Sequence, residues 1–139
     1  MSREDVNRIG SAGEAAVAAA LIEAGCHVFV PAFGSPDVDM IVDVHGSLLR
    51  LQVKTLAVPG PALRFPAWGP DRRSGYSGKA DWLAFHSLYY GVTAFLKPEE
   101  IGQYPTLRYD TEEDRVMGNP SIRYARDYPM ERMIKEAST

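Results

Sequence analysis

At 139 residues, with 45% hydrophobic and 24% charged side chains, the chain has the size of one domain and the composition of an ordinary globular protein. A net charge of −3 argues against a protein that coats nucleic acid unselectively, and the single cysteine excludes a disulfide framework or a thiolate zinc site built by one chain. No apolar run approaches the roughly 20 residues needed to span a bilayer, and the Met1 to Asp5 start does not read as a signal peptide, so a reduced, cytoplasmic setting without membrane contact is expected.

The first element is a helix. Val6, Ile9, Gly13, Val17, Leu21 and Ala24 recur at helical spacing, and the alanine-rich middle has high helix propensity. The helix is expected from about Arg3, or at latest Ser11, to Ala24, with Gly25 stopping it. Gly10 and Gly13 each cost roughly 1 kcal/mol against alanine inside a helix, so close approach of another backbone or of a ligand is expected there. Glu14 shares a face with Val17 and Leu21, which puts a carboxylate in or beside the buried stripe. It reads either as a boundary residue turned to solvent or a lysine, or as part of a site.

His27 to Val30 reads as a short strand ended by Pro31, and Ala32 to Pro36 as a loop. A hairpin follows: Val38 to Val44, a turn at His45-Gly46-Ser47, and Leu48 to Thr55 returning. Gln52 and Lys54, two apart, project from one sheet face while Val53 goes to the other. With the turn near Gly46, Asp39 enters the partner strand on the side of Gln52 and Lys54. An acid, an amide and an amine then converge at one end of the hairpin, an arrangement suited to a hard cation and a water. Asp37 shares the parity of Asp39 and either assists it or caps the turn; Asp43 is expected to be solvated.

Residues 57 to 80 are rich in Gly and Pro and hold neither period for long, which predicts a long functional or disordered loop. From Pro59 to Ala80 the charge is +3, against −6 for the remainder. Arg64, Arg72, Arg73 and Lys79 stand among Phe65, Trp68 and Tyr76, a mixture suited to phosphates and base faces. The alternative is a surface loop pinned by its aromatics. Beyond it, strands are expected at Asp81 to Phe85 and Val92 to Leu96, with a helical turn at Lys97 to Ile101. A weak strand around Leu107 to Tyr109 and a terminal helix over Pro129 to Ala137 complete the order. One α/β or α+β domain with a mixed sheet follows. The three histidines show no metal-binding spacing, and no nucleophile elbow or Walker glycine loop is present.

Gly13-Glu14 on the first helix, Pro36-Asp37-Val38-Asp39, and Gln52-Val53-Lys54-Thr55 on the returning strand together resemble the PD-(D/E)XK nuclease superfamily. The likeness runs from about residue 6 to residue 101. It is nearest to the small branch, including a group I intron homing endonuclease, that carries Gln before x-Lys. Archaeal Holliday-junction resolvases share the order of motifs. The resemblance implies a restriction-endonuclease-like three-layer α/β/α core and Mg²⁺-dependent hydrolysis of DNA phosphodiesters, with Mn²⁺ able to substitute. Carried over, Asp39 is the metal ligand and Gln52 the second, and the Val53 carbonyl is a further one. Lys54 orients the attacking water, and Glu14 holds the outer shell. Arg64, Arg72, Arg73, Tyr76 and Lys79 would contact DNA. One site on a small domain implies a homodimer or homotetramer for cutting both strands. A junction resolvase and a non-catalytic binding module on the same fold are the alternatives. Gln52 brings no charge to a position where an acid is usual.

Overall fold

The computed structural model describes residues 2–57, 79–101, 106–109 and 122–139, and the backbone of 62–64. Helix α1, Arg3–Glu23, begins where the sequence places it. Ser2 and Asp5 form a capping box: the Asp5 amide donates to Ser2 Oγ at 3.1 Å, and the Asp5 carboxylate accepts from the Ser2 amide at 3.3 Å. Past Ala24 the chain turns at Gly25, whose φ of +93° is the left-handed conformation that favours glycine at helix ends. The stripe α1 buries is Gly13, Val17 and Leu21, spaced by four.

Strands β1 (His27–Phe29), β2 (Met40–Val44) and β3 (Ser47–Leu56) form an antiparallel ribbon. The β2–β3 turn has two residues, His45 and Gly46, both at positive φ (+51° and +96°), matching the primed turns that suit strand twist. Asp43 is half-buried at the turn end of the hairpin, where its carboxylate accepts the Gly46 amide at 2.8 Å in an exposed hydrogen bond and closes the turn. β5 (Trp82–Ser87) lies parallel to the second half of β3, and β6 (Val92–Leu96) returns antiparallel. The main sheet is thus mixed, of order β1-β2-β3-β5-β6, with β3 at its centre.

The sheet has two unequal faces. On one, α1 and the C-terminal helix α3 (Met130–Ala137) cover Met40, Val42, Val44, Leu51, Val53, Trp82, Ala84 and Phe95. On the other, Leu83, Phe85, Ala94 and Leu96 of β5 and β6 pack against Ile101, Leu107, Tyr109 and Ala125. These come from α2 (Pro98–Ile101), from β7 (Thr106–Arg108) and the residue after it, and from a 3₁₀ turn, Ala125–Asp127. Every residue of β5 is buried, as expected for a strand covered on both faces. The buried Tyr109 hydroxyl donates to the Phe85 carbonyl at 2.7 Å. The fold is the restriction-endonuclease-like α+β arrangement.

Several boundaries depart from the sequence reading. The region 57–80, expected to lack regular structure, contains β4 (Ala62–Arg64), which joins β7 and β8 (Ile122–Tyr124) in a second sheet of order β4-β7-β8. β4 and β8 are each three residues long and stand among Gly and Pro, which leaves too little period to read. β2 starts at Met40 rather than Val38, because the chain before it leaves the ladder. β1 ends at Phe29, the residue opposite Ile41, close to where β2 itself begins. Among the described residues, no helix is long and apolar enough to cross a membrane.

Candidate active site

β3 is longer than β2. Their ladder ends at the Met40–Leu51 pair, while β3 continues to Leu56 against β5. From Gln52 onward, the edge of β3 that faced β2 therefore has no strand to bond among the described residues. Backbone groups alternate between the two edges of a strand, and an orphaned amide there would cost free energy. Asp39, the residue just before β2, resolves this. Its amide donates to the Leu51 carbonyl at 2.9 Å, and its carboxylate Oδ2 accepts the Val53 amide at 2.6 Å. The hairpin thus opens into a fork with Asp39 in its crotch. Because N–H and C=O of one strand residue point to the same edge, the Val53 carbonyl faces the fork as well.

Glu14 reaches the fork from above. Gly13 packs directly on β3: a Cβ added to it would lie 1.8 Å from Thr55 Oγ1. The helix advances ~100° per residue, so Glu14 emerges beside this contact, over the edge that β2 has vacated. Its carboxyl hydrogen-bonds with that of Asp39, and its pKa is pushed up to about 7, first by burial and then by the hydrogen bond and negative charge of Asp39. The glycine expectation is half met. Gly13 has its close approach, to a side chain, whereas nothing lies within 4 Å of a Cβ at Gly10.

Gln52 and Lys54 project to the face opposite α1, where, among the described residues, β1, β2 and the start of β3 are less covered than β5 and β6. Gln52 is half-buried, Lys54 exposed, and Val53 between them buried, as the alternation predicts. Among the described residues Lys54 forms no ion pair. It lies on the central strand, so an edge-strand lysine is not the explanation for it. Asp37 takes no part in the ladder; its carboxylate stands 3.8 Å from Lys79 Nζ, an exposed pair at the fork's margin. Lys79 is the member of the basic segment placed near the fork. Arg72, Arg73 and Tyr76, with Phe65 and Trp68, lie outside the described residues, as does the side chain of Arg64.

The donors at the fork suit a hard divalent cation. Asp39, Glu14, the Gln52 amide and the Val53 carbonyl all offer oxygen, the ligand type of Mg²⁺ and Mn²⁺. A carboxyl group whose pKa is raised by burial and by the hydrogen bond and negative charge of its neighbour is also the arrangement a cation relieves. No cluster of three His, Cys, Asp or Glu that could hold a metal ion is present among the described residues.

Sequence reasoning missed two participants. The Val53 amide is held by Asp39, and Thr55 fills the space beside Gly13. The second was within reach, since an unexplained helix glycine asks for a partner and Thr55 ends the same motif. A cavity of about 630 Å³ opens at the other end of β3, around Ser47, Arg50, Trp82, Lys97 and Glu136. Its charges pair with one another: Lys97 with Glu136 at 2.6 Å, and Arg50 with Asp81 at 3.2 Å.

The fold and the fork together define a nuclease-like α+β protein with an acidic, oxygen-donating site. A family model described as PD-(D/E)XK endonuclease matches residues 4–74, a span that contains all of α1 but Arg3, the hairpin, and Glu14, Asp39, Gln52, Val53 and Lys54. The chain belongs to the PD-(D/E)XK endonuclease family. Among solved structures, a bacterial homing endonuclease, I-Ssp6803I, is similar at a TM-score of 0.69 and 15% identity, with 95% of each chain covered. At that identity the likeness is one of fold. No curated protein matches the chain.

Proposed function

We propose that the chain is a divalent-metal-dependent DNA endonuclease, homing-endonuclease-like in its Gln-for-acid site. The observation that carries this reading is the fork: Asp39, fixed by the Val53 amide at 2.6 Å, faces Glu14 from α1 and is followed on β3 by Gln52 and Lys54. Asp39, Gln52 and the Val53 carbonyl would hold Mg²⁺, with Glu14 in support. A bound Mg²⁺ would supply Lewis-acid neutralisation of the charge developing on the scissile phosphate.

The chain's own residues do the rest. The Val53 hydrogen bond fixes the Asp39 carboxylate before any ligand arrives, so no reorganisation is required on binding. Lys54 presents an exposed cation on the face opposite α1, where it orients a water for in-line attack and offsets negative charge in the transition state. Lys79 and the basic residues Arg64, Arg72 and Arg73 would steer the phosphate backbone toward the fork, and Tyr76 would stack on a base. Cutting both strands needs two copies, so a homodimer or homotetramer is part of the proposal; light scattering of the purified chain measures it.

The test is cleavage of plasmid and linear duplex with Mg²⁺ or Mn²⁺, comparing the native protein with Asp39→Asn and Lys54→Met. The reading requires metal-dependent cutting that both variants abolish. Gln52 favours one second reading, a binding module on the same fold, because an amide contributes no charge to a cation. DNA binding with neither metal uptake nor cutting would establish that one. A four-way junction beside linear duplex distinguishes a resolvase.

A further inference from the structure

We infer that Thr55 is a positioning residue for Glu14: by occupying the space that Gly13 leaves without a Cβ, it sets the height and rotation of α1 over the fork. This rests on the metal-site reading above and goes beyond it, to the device that assembles the site from two elements.

The contact is unusually close. An alanine Cβ at Gly13 would lie 1.8 Å from Thr55 Oγ1, 2.7 Å from its Cγ2 and 2.8 Å from its Cβ, so helix and strand meet with no atom to spare. Threonine suits this place because branching at Cβ holds its χ1 stiffly, which makes the side chain a fixed stop rather than a yielding one. Thr55 lies two residues past Val53, on the part of β3 that β2 no longer borders. Below it the stripe continues through Val17 and Leu21, both fully buried, so the C-terminal half of α1 is seated in the core and its midpoint meets Thr55. On the neighbouring strand Thr55 is in register with the buried His86, whose Nδ1 lies 2.7 Å from Thr93 Oγ1.

Glu14 follows Gly13 directly and meets Asp39. A shift of α1 by one methyl diameter would therefore move the Glu14 carboxyl away while leaving Asp39 fixed by Val53. Thr55 acts on the helix, and through it on the carboxyl pair; it contributes no ligand of its own.

The experiment takes the full chain as native protein, Gly13→Ala, Thr55→Ser, Thr55→Gly and the double variant Gly13→Ala with Thr55→Gly. Two readouts are used: crystal structures without metal, and Mn²⁺ titration by calorimetry well below each melting temperature. The inference expects Gly13→Ala to displace Glu14 from Asp39 and weaken Mn²⁺ about tenfold or more, the usual scale for a lost supporting contact. Thr55→Ser, which keeps Oγ but loses the branch that stiffens χ1, should fall between native affinity and the weaker affinity of Thr55→Gly, and the double variant should recover part of what Gly13→Ala loses. Glu14 unmoved in Gly13→Ala, or equal Mn²⁺ affinity in all folded variants, overturns the inference, since a merely structural contact would lower the melting temperature alone. If the native protein takes up no Mn²⁺ while Gly13→Ala still displaces Glu14, the positioning role stands and the metal-site reading falls. Should Gly13→Ala not fold, Thr55→Gly carries the same comparison.

Discussion

Asp39 Oδ2 accepts the Val53 amide at 2.6 Å, where a further residue of β2 would have bonded had that strand continued. One side chain thus replaces a missing strand and at the same time stands in the centre of the site. The two roles separate by mutation. Asp39→Asn retains an oxygen acceptor but loses the charge, whereas Asp39→Ala leaves the Val53 amide without its partner. Urea unfolding should show Asp39→Ala destabilised by about 1–3 kcal/mol, and Asp39→Asn by less. Equal losses would mean that the hydrogen bond contributes little.

The raised pKa of Glu14 gives a pH signature. Its folded value of about 7 lies above the ordinary 4.5, so the folded state holds the proton more tightly than the unfolded one. The associated stability is fully present below about 4.5 and is lost as pH rises through 7. His86, whose pKa is lowered by burial, acts in the opposite sense as pH falls below its usual range. The difference between native protein and Glu14→Gln isolates the first effect. In EDTA, the native melting temperature should fall relative to Glu14→Gln between pH 4.5 and 7; parallel curves would remove Glu14 from the account.

Metal binding at the fork should release that proton. Calorimetry of Mn²⁺ at pH 6 in buffers of different ionisation enthalpy should report proton release by the native protein and close to none by Glu14→Gln.

Gln52→Glu restores a negative charge among the donors. It should tighten Mn²⁺ on the order of tenfold, since affinity follows ligand charge count. Without metal it should lower stability, because a third carboxyl would join Glu14 and Asp39. Unchanged affinity would place Gln52 outside the ligand set.

Much of this site is legible in the sequence because it follows from alternation. Once the turn is placed at His45–Gly46, the parity of Gln52 and Lys54 against Val53 is fixed, and so is the side on which Asp39 enters. The helical phase of Glu14 follows equally from Val17 and Leu21. The fork itself is not legible. The Val38–Val44 stretch reads as one strand, and only the ladder's end at Met40 shows that Asp39 has left it. The same holds for β4 and β8, whose three residues each are strands through their pairing with β7 rather than through any period of their own. Thr55 reads as one more strand residue until the helix glycine opposite it is seen. Local pattern set the residues' faces; long-range contact set their partners.

The most direct test of the central claim is nicking of supercoiled plasmid by the purified native chain in Mn²⁺, with Asp39→Asn prepared in parallel and both checked for folding. Native cutting that EDTA stops, and that Asp39→Asn reduces by about 100-fold or more, is the predicted result. Cutting that continues undiminished in Asp39→Asn, or native protein that binds DNA but never cuts it with any divalent metal, would contradict it.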